Sequence, residues 1–143
     1  IVSVGQWLVL RELAAGLPVS RVGEAWEAQT LALRDGERRQ LIPVADIAHI
    51  EADDNHVRVF TTGGEVHRVR ERLGDIEALL DSTRFVRIHR SAIVPIGRVR
   101  AVVQLSHGDW AVDLASGVRL RVARGRRHLL QQAIAARINT PTA

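Results

Sequence analysis

The sequence predicts a domain dominated by β-structure, with one short internal helix and one C-terminal helix. Between residues 30 and 122, short runs rich in branched apolar residues are separated roughly every 8–12 residues by tight turns that contain Gly, Asp, Asn or Ser. Leucine and isoleucine recur at helical spacing in two stretches, near residues 73–80 and 126–138. Many short strands joined by tight turns indicate small antiparallel sheets.

The turns separate the predicted strands clearly. Arg34 to Glu37 is a hairpin turn with Gly36 at the position that requires a positive φ, and Gly63-Gly64 predicts a second turn. The predicted strands are 30–33, 39–44, 46–52, 56–61, 65–69, 85–88, 92–94, 98–105, 110–114 and 118–122. The face of the internal helix that is predicted to pack on the core carries Leu73, Ile76, Leu79 and Leu80. The corresponding face of the C-terminal helix carries Leu129, Leu130, Ala133, Ile134 and Ile138.

Residues 1–29 differ in pattern and are expected to form a helical appendage to the domain of residues 30–143. Trp7 lies in a first amphipathic pattern that ends near Pro18, and Trp26 lies in a second one. The two tryptophans suit a core cap, a contact with another chain or a membrane surface. The sequence does not begin with methionine, and we expect a missing N-terminal portion that carries a receiver (as in a two-component response regulator), a sensor or membrane helices.

Charge is distributed unevenly along the chain. Residues 1–81 carry nine arginines and 14 acidic residues, a net −5, whereas residues 82–143 carry 11 arginines and two aspartates, a net +9; together these make the total of +4. All 20 basic side chains are arginine, which binds phosphate and guanine in a bidentate manner. A strongly basic C-terminal portion is typical of a protein that binds nucleic acid or another polyanion.

The remaining composition narrows the class of protein. The chain has no cysteine, so disulfides and thiolate metal sites are excluded. No run of about 18 apolar residues is present to span a membrane. We therefore expect a cytoplasmic domain, with tethering to the membrane through the missing N-terminal portion as the alternative.

The sequence contains no recognisable catalytic pattern. We find no P-loop, no dinucleotide-binding glycine pattern, no nucleophile elbow and no histidine pair at metal-ligand spacing. The six histidines are scattered; His49 and His67 fall within strands, where a hydrogen-bonded or solvated histidine is expected rather than a metal ligand. Asp53-Asp54 is expected to be a solvated turn. We therefore expect no enzyme activity, no metal, no cofactor and no small-molecule substrate.

Two basic segments are candidates for contact with an anion. His89, Arg90 and Ser91 stand between two strand-like runs, and their side chains can hydrogen-bond to phosphates and base edges; an ordinary polar strand end is the alternative. Arg124-Gly125-Arg126-Arg127 follows a strand and opens a helix. Free N–H groups and the helix dipole favour an anion at such a place, although a solvated helix start would look the same.

Three segments resemble the LytTR-type (LytR/AlgR-like) DNA-binding domain. The first runs from Ile42-Pro43-Val44-Ala45-Asp46-Ile47 through Ile50-Glu51-Ala52 to His56-Val57-Arg58-Val59. The second is the Leu73-to-Leu80 helix that leads into Phe85-Val86-Arg87-Ile88-His89-Arg90-Ser91-Ala92-Ile93-Val94, and the third is Leu120-Arg121-Val122-Ala123-Arg124. The resemblance covers about residues 30–138. It implies an elongated all-β fold of small antiparallel sheets that reads DNA through loops and not through a recognition helix.

The resemblance implies DNA contacts in the loop before the third core strand, in the His-Arg-Ser segment and just past the last strand. Together with the basic pattern, it predicts as DNA-binding residues Asn55, His56, Arg58, His89, Arg90, Ser91, Arg124, Arg126 and Arg127. Of these, His56, Arg90 and Arg124 are expected at base edges in the major groove, and Arg127 at a phosphate. Pro95 stands where the family usually has asparagine, so the end of that strand is expected to differ.

These observations predict the sequence-specific output domain of a bacterial transcriptional regulator, which binds double-stranded DNA at repeated half-sites as a dimer. Two other classes remain open. One is a protein–protein interaction module whose basic face meets an acidic partner. The other is a ligand-sensing domain in which Trp7, Trp26 and Trp110 line a pocket.

A shortened chain tests the assignment of residues 1–29. A chain that begins at Ala28 should fold and should keep its affinity for a single DNA half-site, because about 110 residues suffice for a stable core. It should lose cooperativity between repeated half-sites if dimer contacts lie in the deleted segment. Circular dichroism and titration with one-site and two-site duplexes measure both properties. Aggregation of the shortened chain would instead make Trp7 and Trp26 part of the core.

Overall fold

The structure, a computed structural model, describes residues 29–138 of the chain. These residues form ten strands and two α-helices. The strands are β1 Thr30–Asp35, β2 Arg38–Pro43, β3 Ile47–Asp53, β4 His56–Thr61, β5 Val66–Val69, β6 Phe85–His89, β7 Ala92–Pro95, β8 Val99–Gln104, β9 Trp110–Leu114 and β10 Arg119–Val122. The helices are α1 Leu73–Leu79 and α2 Arg127–Ile138. The predicted helical appendage lies outside the described residues.

The strands form three antiparallel sheets. A hairpin pairs β1 with β2; a central sheet has the order β5-β4-β3-β7-β6; and a third sheet has the order β10-β9-β8. The turns fall where small or polar residues allow them: Gly36 has φ 66°, Gly64 has φ 90° and Asp54 has φ 53°. The prediction of an all-β body with one short internal helix and a C-terminal helix is confirmed.

The buried side chains form two cores on opposite faces of the central sheet. The first core, which holds Ile50 and Val59, packs between the central sheet, the β1–β2 hairpin and α1. The second core, which holds Ile88 and Leu130, packs between strands β6 and β7, the third sheet and α2. Strand β7 contributes to both cores, because alternate side chains of a strand point to opposite faces. Ile93 belongs to the first core, and its neighbour Val94 belongs to the second.

The helices bury fewer side chains than their apolar spacing predicts. In α1, Leu73 and Ile76 are buried and Leu80 follows them into the core, but Leu79 is exposed. In α2, Leu130 is fully buried whereas Leu129 is 46% exposed. The predictions for Leu79 and Leu129 were therefore wrong. Because a helix turns by about 100° per residue, the core contacts one of two adjacent leucines and leaves the other on the flank.

The turn between α1 and β6 is held by Asp81. Its carboxylate accepts hydrogen bonds from the hydroxyl and the N–H of Thr83, at 2.7 and 2.9 Å. These two bonds, with the charge of Arg84, lower the pKa of Asp81 against the opposing effect of its partial burial. The contribution of Asp81 to stability is therefore present above the ordinary carboxyl pKa and is lost as the pH falls through the lowered value. The turn sets the entry of the chain into β6.

A pair of leucine variants tests the face of α2. Leu130→Ala should lower the free energy of unfolding by about 2–5 kcal/mol, because it empties a fully buried site in the second core. Leu129→Ala, on the same helix with the same change in helix propensity, should cost about 1 kcal/mol or less. Urea unfolding of the two variants measures the difference, and equal losses would contradict this packing.

Candidate nucleic-acid interface

One end of the central sheet gathers loops from distant parts of the chain. The β3–β4 turn lies there, because Asp53 pairs with His56 across the hairpin. The β6–β7 turn lies beside it, because β3 also pairs with β7 and the N–H of Ala52 donates to the carbonyl of Ser91 at 2.8 Å. Strand β5 ends at the same edge, with Val69 opposite Val57. We call this end of the sheet the turn end; it comprises residues 54–56, 70–72, 89–91 and 124–126.

The last of these segments reaches the turn end through one backbone hydrogen bond. The N–H of Ala123 donates to the carbonyl of Ile88 at 2.8 Å, and this bond places the Arg124–Arg126 turn against the end of β6. A shallow groove of about 480 Å³ forms at the junction. Its lining residues are His89, Arg90, Ala123, Gly125, Arg126 and Leu129. The structure thus brings the two predicted basic segments together.

The turn between β6 and β7 has a defined internal geometry. Nδ1 of His89 accepts a hydrogen bond from the N–H of Ser91 at 3.2 Å and lies 2.8 Å from Oγ of the same serine. Because Nδ1 is an acceptor, the proton of a neutral His89 ring resides on Nε2. The ring is therefore held by its neighbour in one orientation, with a donor on its other side.

The side chain of Arg87 is hydrogen-bonded to the backbone of the same turn. Sequence reasoning did not assign Arg87 to the site. Its guanidinium donates to the carbonyls of Arg90 (2.6 Å) and His89 (3.4 Å) and to the carboxylate of Glu77 in α1 (3.2 Å). The side chain is only 19% exposed. The available signal was an arginine placed between two buried strand residues, where burial of a charge requires a partner.

The predicted arginines are not equally available at the turn end. Arg90 is exposed, and Arg124 is 76% exposed and forms an ion pair with Asp109 at 3.7 Å. An ion pair at that exposure contributes little energy, so Arg124 can exchange it for another anion. Arg126 is half-buried in the groove wall. Arg90 and Arg124 are therefore the arginines of the predicted set that are best placed for an incoming ligand.

Arg127 is turned into the fold. Its guanidinium donates to the carbonyl of Gly108 at 2.6 Å and lies over the ring of Trp110, 4.9 Å from the ring centroid. The side chain thus joins the start of α2 to the loop between β8 and β9. This geometry gives Arg127 a structural role in addition to the phosphate contact predicted from its sequence position.

The β3–β4 hairpin places its predicted residues differently. Asn55 is exposed at the tip and His56 is half-buried at the start of β4. Arg58 lies on the face of the sheet, 3.8 Å from the carboxylate of Asp53 and 5.5 Å from the ring centroid of Phe60. Asn55 and His56 therefore belong to the turn end, whereas Arg58 stands back from it along the strand.

Two further arginines at the turn end were missed by sequence reasoning. Arg70 and Arg72 are exposed just after β5, and with Asn55 they line a second hollow of about 420 Å³ whose wall also contains acidic residues. Their place after a strand and before a helix was visible in the sequence. Their proximity to Asn55 follows from the pairing of β4 with β5, which the sequence does not display.

The strand histidines are hydrogen-bonded, as predicted. Nε2 of His49 lies 2.8 Å from the carboxylate of Glu51, and the ring stacks on Phe60 with centroids 4.2 Å apart. Nδ1 of His67 lies 2.7 Å from Oε1 of Gln40. Within residues 29–138, no three His, Asp or Glu side chains are grouped closely enough to hold a metal ion, and no helix there is long and apolar enough to cross a bilayer.

Comparison with known proteins agrees with this geometry. The family model of the LytTr DNA-binding domain matches residues 37–135, which is more than half of the chain. The chain belongs to the LytTr DNA-binding domain family. The fold agrees too: the LytTr domain superposes with a TM-score of 0.63 on a solved structure described as the LytTr DNA-binding domain of a methyl-accepting/DNA response regulator from Bacillus cereus. The match covers 73% of this chain and 95% of that one, at 21% identity.

Two curated relatives are similar to this chain over part of their length. The CO-responsive transcriptional regulator RcoM of Rhodospirillum rubrum is 30% identical over 117 residues, which are 81% of this chain and 49% of that protein. An uncharacterized response regulatory protein of Vibrio cholerae serotype O1 is 28% identical over 99 residues, 67% of this chain and 38% of that protein. The chain thus spans less than half the length of either relative.

Two neighbouring arginines of the LytTr domain, Arg124 and Arg127, test the role of Arg127. Arg127→Ala should lower the free energy of unfolding by about 1–3 kcal/mol, because it removes a charged hydrogen bond from a partly buried site. Arg124→Ala should change it by about 0.5 kcal/mol or less, since its side chain is exposed. Chemical unfolding of both variants measures this; an Arg127→Ala protein as stable as the parent would contradict the assignment.

Proposed function

We propose that this LytTr domain is the output domain of a bacterial transcriptional regulator and that its turn end reads the major groove of double-stranded DNA. The observation that carries the proposal is the convergence of the β3–β4 turn, the β6–β7 turn and the Arg124–Arg126 turn at one end of the central sheet. Loops from three separate segments then present their side chains to one ligand surface.

The chemistry of this end supports duplex DNA as the ligand. The exposed arginines 70, 72, 90 and 124 surround the turns, and an arginine fork matches either a phosphate or the O6 and N7 acceptors of guanine. The Arg124–Arg126 turn also leads into the N-terminus of α2, and the positive end of that helix dipole favours a phosphate. We therefore propose that the outer arginines position the duplex and that few side chains read its sequence.

Arg90, Arg124 and His56 are the proposed base-reading residues. Arg90 stands at the tip of a turn whose backbone Arg87 holds in place, so its guanidinium extends from a fixed base. Arg124 follows Ala123, whose hydrogen bond to Ile88 places this segment against the end of β6, and His56 lies at the adjacent hairpin. The remaining predicted residues have supporting roles in this proposal. Contacts with the DNA backbone or with neighbouring base edges are assigned to His89, Ser91 and Asn55. Arg126 and Arg127 are placed nearer the phosphates, and Arg58 is farther from the DNA along its strand.

The wider setting is proposed from the relatives. One of them is described as a transcriptional regulator that responds to CO, and the other as a response regulatory protein. We propose that this chain likewise transmits a signal from a further domain to DNA, that it binds repeated half-sites as a dimer and that it acts in the cytoplasm. Residues 1–29 are proposed as the connection between the two parts.

Selection of bound sequences from random duplex DNA followed by a titration of variants tests the proposal. Arg90→Ala should lose about 1–3 kcal/mol of affinity for the selected site and should relax the preference at one base position. The physical reason is the loss of a bidentate contact to a base edge. Arg100→Ala is the matched control. Arg100 is an exposed arginine at the start of β8, at the end of the third sheet that lies away from Arg124.

The same titration carried out at several salt concentrations separates DNA from other partners. Log affinity for the duplex should fall steeply and linearly with log salt, because arginines that meet phosphates release counterions. Affinity that stays flat between low and moderate salt would count against DNA as the ligand. Equal losses for Arg90→Ala on selected and unrelated duplexes would assign Arg90 to a phosphate.

A further inference from the structure

An exposed leucine stands in the basic groove at the turn end. Leu129 is 46% exposed, and it lines the groove of about 480 Å³ between the β6–β7 turn and the start of α2. A single exposed leucine is common on protein surfaces, but this one shares its groove with Arg90 and Arg126. The other exposed large apolar side chains of the described residues lie outside the groove; they are Leu41, Val66, Leu79 and Val102.

The position of Leu129 is fixed by the residues around it in the first turn of α2. Leu130 is fully buried in the second core, and since a helix turns by about 100° per residue, Leu129 is held on the flank beside that core. The guanidinium of Arg127 ties the start of the same helix to the carbonyl of Gly108. Leu129 therefore needs little ordering to meet a ligand in the groove, which keeps the entropic cost of the contact low.

The groove beside Leu129 offers an apolar surface and open space. Ala123 is half-buried in its wall, and a Cβ added at Gly125 would meet no heavy atom within 4 Å. Burial of the exposed part of Leu129 therefore requires an apolar group that the ligand brings. In the major groove of DNA, the apolar group that a base edge presents is the C5 methyl of thymine, whereas the other groups are hydrogen-bond donors and acceptors.

We propose that Leu129 contacts the C5 methyl of a thymine, so that the turn end recognises one base by an apolar contact beside the base edge that Arg90 reads. This inference rests on the function proposed above and adds a specificity-determining residue to it. Bases of one strand are about 3.4 Å apart along the duplex, so two residues that line one groove meet the same base pair or close neighbours. The selected DNA site should therefore contain a thymine within about two base pairs of the position that Arg90 reads.

Titration of the full chain with duplexes in which uracil replaces thymine tests the proposal. Uracil keeps the pairing and the O4 acceptor of thymine and lacks only the C5 methyl, and each thymine of the selected site is replaced in turn. Replacement of the thymine that Leu129 contacts should weaken binding about fourfold, the factor expected for the loss of one buried methyl group. Leu129→Ala should weaken binding of the thymine duplex by a similar factor and should bind the thymine and uracil duplexes equally.

Three further variants control for the change at Leu129. Leu79→Ala makes the same substitution at an exposed leucine of α1, outside the groove, and should keep the full difference between thymine and uracil. Leu129→Met retains an apolar side chain of similar volume and should keep that difference too. Leu129→Gln retains good helix propensity with a polar tip and should abolish the difference, as Leu129→Ala does.

The possible outcomes separate this inference from the proposed function. A chain that binds all duplexes alike would defeat both. A base preference at the position of Arg90 that every uracil duplex retains in full would overturn the thymine contact alone. Leu129→Ala and Leu129→Gln proteins that bind more weakly but still prefer thymine to uracil would place Leu129 against a sugar of the DNA backbone, and this result would overturn the thymine contact as well.

Discussion

The alternation of side chains along β7 is the constraint on which this structure depends. A strand of four residues sends Ile93 into one core and Ala92 and Val94 into the other. Since β7 is also the partner of both β3 and β6, a shift of its register by one residue would exchange the faces and disrupt two cores at once. The buried, branched character of these residues therefore specifies the register, and the register places the β6–β7 turn beside the β3–β4 turn.

The local features of the fold were predictable from the sequence. Strands β4 and β9 have the predicted bounds, 56–61 and 110–114, because alternating apolar residues and flanking turn residues act over short distances. Gly36 adopts the positive φ that its hairpin requires. Leu79 and Leu129 were misplaced for the opposite reason. The choice between two adjacent leucines is made by the distant surface against which the helix packs, and apolar spacing alone carries no information about it.

The candidate site was predictable in its segments but less so in its detail. The basic character of residues 89–91 and 124–127 can be read directly from those segments. The family resemblance predicted that both segments contact the same DNA. The orientation of each guanidinium is a tertiary property. Arg127 points inward because its guanidinium donates to the carbonyl of Gly108 and lies over the ring of Trp110. Arg87 points inward because its guanidinium donates to the carboxylate of Glu77 and to two carbonyls of the β6–β7 turn. In the sequence these two arginines look the same as Arg90.

The strand order has a consequence for how the domain folds. Among the strands that the structure describes, each pairing joins strands adjacent in the chain except that of β3 with β7, where Ile50 meets Ile93 roughly 40 residues later. Hairpins close small loops at low entropic cost, whereas the β3–β7 pairing must close a large one before its contacts stabilise it. We expect this pairing to form late. The hydrogen bond from Ala52 to Ser91 depends on it, so the proposed DNA-binding surface is assembled late in folding and exists only in a chain whose two halves have already joined.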